Sequence, residues 1–101
     1  MSKNKLKIML SIMREINDGN EPTWSDYGIE KNEFADIIDA CRKEGYIENA
    51  TITRGGMGYE AKIIWLNHAK LTVKGLEYLN EHSALMQTYK GLKEIREWLP
   101  F

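Results

Sequence analysis

The sequence predicts an α+β winged-helix domain: a helix-turn-helix core, a β-hairpin wing and an extra C-terminal helix. Three observations predict it. Two segments with apolar residues at helical spacing precede a segment whose period changes to two. That segment is interrupted by three glycines in four residues, Gly55, Gly56 and Gly58. Two further helical segments follow it. At 101 residues, 43% hydrophobic and 29% charged, the chain is the size of one globular domain, taken as 1–101, large enough to fold without staples.

The first helix is expected from about Lys3 to Asn17, with Leu6, Met9, Met13 and Ile16 in one stripe that Leu10 and Ile12 widen. Gly19 is the expected C′ residue and Pro22 confirms the stop. Residues 20–30 read as a link anchored by Trp24, Tyr27 and Ile29, with a short helical turn around Ser25 to Tyr27. A second helix is expected from about Lys31 to Lys43, with Phe34, Ile37, Ile38 and Cys41 facing the core and Gly45 ending it. Strands follow from Tyr46 to Leu66. Ala50 and Ile52 lie on one arm, and Tyr59, Ala61, Ile63 and Trp65 alternate on the other. The glycines between them permit the positive φ angles of a hairpin turn. Thr72 is placed as the N-cap of a helix running to about His82, with Leu71 and Leu76 at hydrophobic-staple spacing. A last helix is expected from about Ala84 to Leu99, carrying Leu85, Tyr89, Leu92, Ile95 and Leu99.

The string Glu44-Gly45-Tyr46-Ile47, then a hairpin, then Leu71 to Leu79, looks like the wing region of many bacterial winged-helix proteins. Over nearly its whole length the chain resembles the YjcQ family, short proteins of bacteria and their phages and prophages. The residues that carry the resemblance are Lys3-Asn4-Lys5-Leu6, Phe34, Glu44-Gly45-Tyr46-Ile47, Leu71-Thr72 and Lys74-Gly75, with Tyr78 to Glu81 and Tyr89 to Ile95. The resemblance implies a winged-helix-like fold and a phage or prophage origin. It implies no biochemical activity and brings no site residues.

Catalysis finds little support among the residues. Cys41 is the single cysteine and lies on an apolar helix face, so a buried, unreactive thiol is expected, with no disulfide and no cysteine metal cluster. His68 and His82 fall in different elements, and Glu77, Glu81 and His82 read as a solvated helix end rather than a metal site. Gly55-Gly56-Met57-Gly58 lacks the Lys-Ser/Thr of a phosphate loop and sits between strands. A non-enzymatic protein without metal or cofactor is therefore expected. No apolar run reaches the roughly 18 residues of a membrane span, and no signal-peptide pattern follows the basic N-terminus. Placement in the cytoplasm of a bacterial host is expected.

Binding is the remaining class, and charge divides it. The net charge is −1, so nothing global advertises nucleic acid. Residues 1–16 carry four basic and one acidic residue, 17–50 three and nine, 51–75 four and one, and 76–101 three and four. The presumed recognition helix is thus acidic. Glu33, Asp36 and Asp39, with Arg42 and Lys43, form a candidate protein-interaction face, and the carboxylates oppose phosphate. Acids near a helix N-terminus also complement its dipole, which accounts for Glu33 without a partner. The DNA alternative rests on the wing and its flanks: Lys3, Lys5, Arg54, Gly56, Tyr59, Lys62 and Lys74, with Lys7 and Lys70 completing a cationic rim. The expected partner is accordingly an unidentified protein or DNA. A homodimer through Leu85, Tyr89, Leu92 and Trp98 of the last helix is a further possibility weighed against simple core packing.

Overall fold

A computed structural model describes residues 4–57 and 60–99. Lys3, Gly58, Tyr59 and the Lys62 side chain lie outside that description. The architecture is α+β, with helices packed against two small antiparallel sheets.

Helix α1 (Lys5–Asn17) begins at Asn4, whose side chain accepts from the Lys7 N–H at 3.3 Å. It ends in a Schellman turn. Gly19 (φ +85°) donates to Ile16 and Asn20 donates to Glu15, which satisfies two terminal carbonyls. The apolar stripe differs from the one expected. Ile8, Leu10, Ile12, Met13 and Ile16 are buried, whereas Leu6 is exposed and Met9 half-buried. Ser11 and Glu15 are buried too. A helix covered on most sides is a central element, and one-stripe reasoning applies only to helices packed on one face.

A 3-10 turn (Trp24–Tyr27) leads into α2 (Lys31–Lys43). Phe34, Ile37, Ile38 and Cys41 are all buried, as the spacing predicts. Gly45 at φ +78° ends α2 in a second Schellman turn, with Gly45 donating to Arg42 at 3.0 Å and Tyr46 to Cys41 at 2.9 Å. Strand β1 (Ile47–Glu48) pairs with β4 (Lys70–Leu71), and β2 (Thr51–Gly55) pairs with β3 (Glu60–Trp65) as the expected hairpin. Gly56, at φ +80°, makes the first turn residue.

The hairpin does not keep the expected alternation. Thr53 faces Ile63 but Arg54 faces Ala61, so Lys62 is an extra residue in β3. Such a bulge shifts side-chain parity by one. Ala61 before it and Ile64 after it turn inward, and Ile63 and Trp65 turn outward, 45% and 48% exposed. Strict alternation had placed Ala61, Ile63 and Trp65 together.

Thr72 caps α3 (Val73–Glu81) by accepting from the Gly75 N–H at 3.0 Å. Its hydroxyl also reaches the carbonyls of Gly45 and Tyr46, so the same residue ties α3 to the end of α2. The single last helix expected from Ala84 to Leu99 is not present. The segment is instead α4 (Ser83–Met86), an irregular stretch, a 3-10 turn (Leu92–Glu94) and α5 (Ile95–Trp98). Gly91 breaks it at φ +100°, ψ −179°, a conformation that L side chains rarely adopt. The two halves fold back on each other, with the Trp98 indole donating to the Leu85 carbonyl at 3.4 Å and Tyr89 meeting Trp98 edge-on.

Candidate binding face of the second helix and the hairpin

The hairpin lies across α2, and polar side chains fix the crossing. Asn32, in the first turn of α2, accepts from the Ala61 N–H at 2.8 Å, next to the bulge. Arg54, whose side chain shares the inward face of β2 with Ile52, reaches two carboxylates one turn apart on α2. It donates to Asp39 at 2.6 Å and to Asp36 at 3.3 Å. Asp39 also receives Arg42 at 3.0 Å. The hydrogen bond to Asp39 is the main cause that holds the Arg54 guanidinium above its ordinary pKa.

Arg54, Asp36 and Asp39 had been assigned to opposed functions, a DNA-binding wing and a protein-binding helix. They form one ion-pair cluster. Its outward side remains accessible, since the Asp36 side chain is 68% exposed. Asp39, Arg42 and Lys43, with Ile47, line a shallow hollow of about 360 Å³ beside it. Glu33, in the first turn of α2, is half-buried, where its carboxylate complements the helix dipole.

The other cationic candidates sit on separate elements. Lys5 is exposed at the start of α1, and Lys70 is exposed in β4. Lys74 holds its ammonium 5.7 Å from the Tyr46 ring centre, and Lys7 stands 6.0 Å from the Trp98 ring. Gly56 is exposed at the hairpin turn. Lys3, Tyr59 and the side chain of Lys62 fall outside the described residues.

A buried network that sequence reasoning missed joins α1 to the C-terminal segment. Tyr89 donates to Glu15, Ser11 donates to Tyr89 at 2.9 Å, and the Tyr27 hydroxyl stands 2.9 Å from Ser11. Asn20 supplies Glu15 with a second donor at 2.8 Å. Because Ser11 has one proton and gives it to Tyr89, Tyr27 must be the donor to Ser11. Burial pushes the Tyr27 and Tyr89 hydroxyls well above their usual pKa range. The cue in the sequence was Ser11 and Glu15 among the apolar residues of α1. Of the four residues weighed as a dimer surface, Trp98 is buried in the chain's own core, and Leu85, Tyr89 and Leu92 are half-buried.

Two residues considered for chemistry are occupied structurally. Cys41 is buried, and burial alone pushes its thiol up to about 12. His82 directs Nδ1 at the Tyr78 carbonyl, 2.8 Å away, and packs its ring on Tyr78. No helix among the described residues is long and apolar enough to cross a membrane.

The family model described as YjcQ protein matches residues 6–98. The chain belongs to the YjcQ family. It is 32% identical over 99 residues to the uncharacterised protein YjcQ of Bacillus subtilis (strain 168), covering 95% of this chain and 98% of that protein. No solved structure matches it. The YjcQ match spans α1, α2, both sheets and nearly all of the C-terminal segment, so the resemblance seen in Phe34, Glu44 to Ile47 and Leu71-Thr72 extends across the fold.

Proposed function

We propose that this chain is a non-enzymatic binding module of winged-helix type. It is of phage or prophage origin, acts in the cytoplasm of a bacterial host, and works by capturing a protein partner on α2. The order of helix, turn, helix and hairpin supports the winged-helix reading. The observation that carries the choice of partner is Arg54 held between Asp36 and Asp39. The wing's arginine is already charge-matched, so a DNA phosphate would have to displace two carboxylates to reach it. A protein partner has no such requirement. Asp39, Arg42 and Lys43 present both signs of charge around a hollow, with Asp36 exposed beside it, which suits a partner with complementary charges of its own. Cys41 and His82, buried and hydrogen-bonded respectively, support the absence of catalysis.

The test compares wild type with Asp36→Lys in two assays. In affinity capture from bacterial lysate, wild type retains a partner that Asp36→Lys loses, while circular dichroism shows both folded. In a duplex DNA titration, wild type binds no tighter than the non-specific range of roughly 10⁻⁴ to 10⁻⁶ M. Nanomolar duplex binding that disappears on Arg54→Ala would overturn the proposal in favour of a DNA-binding regulator.

A further inference from the structure

At the end of the hairpin away from its glycine turn, two short connections meet. Residues 49–50 connect β1 to β2, with Asn49 in the left-handed region at φ +65°. Residues 66–69 form a turn between β3 and β4, closed by the Ala69 N–H on the Leu66 carbonyl at 3.0 Å. Between them lies an open hollow of about 680 Å³ lined by Asn49, Thr51, Asn67, His68, Ala69 and Lys70.

The chemistry of that lining is one-sided. It offers two amides, a hydroxyl, an imidazole and an ammonium, and no carboxylate. Among the described residues, none of these side chains makes a hydrogen bond or ion pair within the protein. Even Glu48, directly across the ladder from Lys70, makes no ion pair with it. Uncommitted donors around one cation suit an anion of small charge. Asn49 is the one non-glycine residue with positive φ among the described residues, and it holds its amide at the rim in a conformation few side chains accept.

A second, independent feature adjoins the hollow. Trp65 stands on the outer hairpin face, 48% exposed, directly across the strands from Thr51 of the lining. Cross-strand partners share a face, so the indole stands on the same side as Thr51. A half-exposed indole next to a donor-rich hollow, whose nearest carboxylate is Glu48 across the ladder from Lys70, combines a stacking surface with a phosphate seat.

We propose that this hollow binds a nucleotide unit, its phosphate held by Lys70 with the amides of Asn49 and Asn67, and its base laid against Trp65. This is a site separate from the α2 face, and it stands or falls independently of the protein partner proposed there. The unit has two possible sources, a free nucleotide or one residue of a single strand. A single lysine matches one phosphate rather than the row of phosphates on a duplex.

The experiment is amide and indole chemical-shift mapping of the full chain by NMR, titrated with adenosine monophosphate, with an oligothymidylate and with inorganic phosphate. Expected shifts cluster at residues 49–51 and 67–70 and at the Trp65 indole. Trp65→Leu weakens nucleotide binding about fivefold or more. Lys70→Gln weakens it and flattens the salt dependence of oligothymidylate binding, which for one phosphate is about threefold between 50 and 200 mM. Both residues are exposed, so the rest of the spectrum reports that each variant is folded. An oligothymidylate that binds much more tightly than the mononucleotide identifies a single strand as the source, and equal affinities identify a free nucleotide. No shifts at millimolar ligand, shifts centred on α2, or inorganic phosphate binding as well as the nucleotide with indifference to Trp65→Leu would each overturn the proposal.

Discussion

Adding one methyl group at Gly75 should destabilise this protein, although helix propensity predicts the reverse. Gly75 lies inside α3, where Gly→Ala ordinarily stabilises by about 1 kcal/mol. Here a Cβ would sit 2.2 Å from the Tyr46 carbonyl oxygen, 3.0 Å from its carbon and 3.2 Å from its Cα. These are backbone atoms and no rotamer relieves them. Relief requires α3 to withdraw by roughly 1 Å to reach ordinary contact distances. That withdrawal stretches the Thr72 N–H bond to the Tyr46 carbonyl, 2.9 Å, and the hydroxyl bond that Thr72 shares between the Gly45 and Tyr46 carbonyls. It also loosens the Tyr46–Tyr78 stack, whose centroids are 4.4 Å apart. Two hydrogen bonds at about 0.5–1.5 kcal/mol each, with about 0.5–1.5 for the stack, give a loss of about 1.5–4.5. After the propensity gain, Gly75→Ala should cost about 0.5–3.5 kcal/mol. Thermal unfolding followed by circular dichroism should show a fall in Tm of at least about 2 °C. An unchanged or higher Tm would refute the close crossing of α3 over residue 46, and with it the argument for how Thr72 docks β4 and α3.

Tyr89→Phe should cost about 1–3 kcal/mol in urea unfolding, because it strips the buried Glu15 of a donor and leaves Ser11 without an acceptor; a neutral result would mean that water replaces the hydroxyl. Stability should also fall at alkaline pH. Cys41, Tyr27 and Tyr89 all ionise at higher pH folded than unfolded, so their contribution is complete below the unfolded values of 9.0 and 10.0 and is lost as pH rises above them. The urea midpoint should drop from about pH 9 upward and more steeply above 10, and a flat midpoint to pH 11 would contradict the burial of these groups. Native Cys41 should react with a thiol reagent only as fast as the protein opens.

Local chemistry in the sequence determined where most elements start and stop. Gly19 and Gly45 end their helices because each takes the positive φ of a Schellman turn, and Thr72 starts α3 because its hydroxyl takes a free N–H. Those choices involve residues two to five apart, so the sequence order exposes them. The core face of α2 was legible for the same reason: one helix face meets the core and its period survives. The stripe of α1 was not, because a helix buried on several sides carries no single face. The bulge at Lys62 and the seat of Gly75 against Tyr46 depend on strand register or on a partner 29 residues away, which no local pattern encodes, whereas the break at Gly91 is a local glycine signal that the helical spacing of its neighbours masked. The candidate site shows the same division most sharply. Charge counting found Asp36, Asp39, Arg42 and Arg54 but set them against one another, whereas packing of the hairpin on α2 joined Arg54 to both carboxylates across 15 and 18 residues of chain. Charge belongs to the residue and can be read in sequence. Which opposite charge it meets is decided by tertiary packing, because only packing brings the two within the few ångströms over which an ion pair acts.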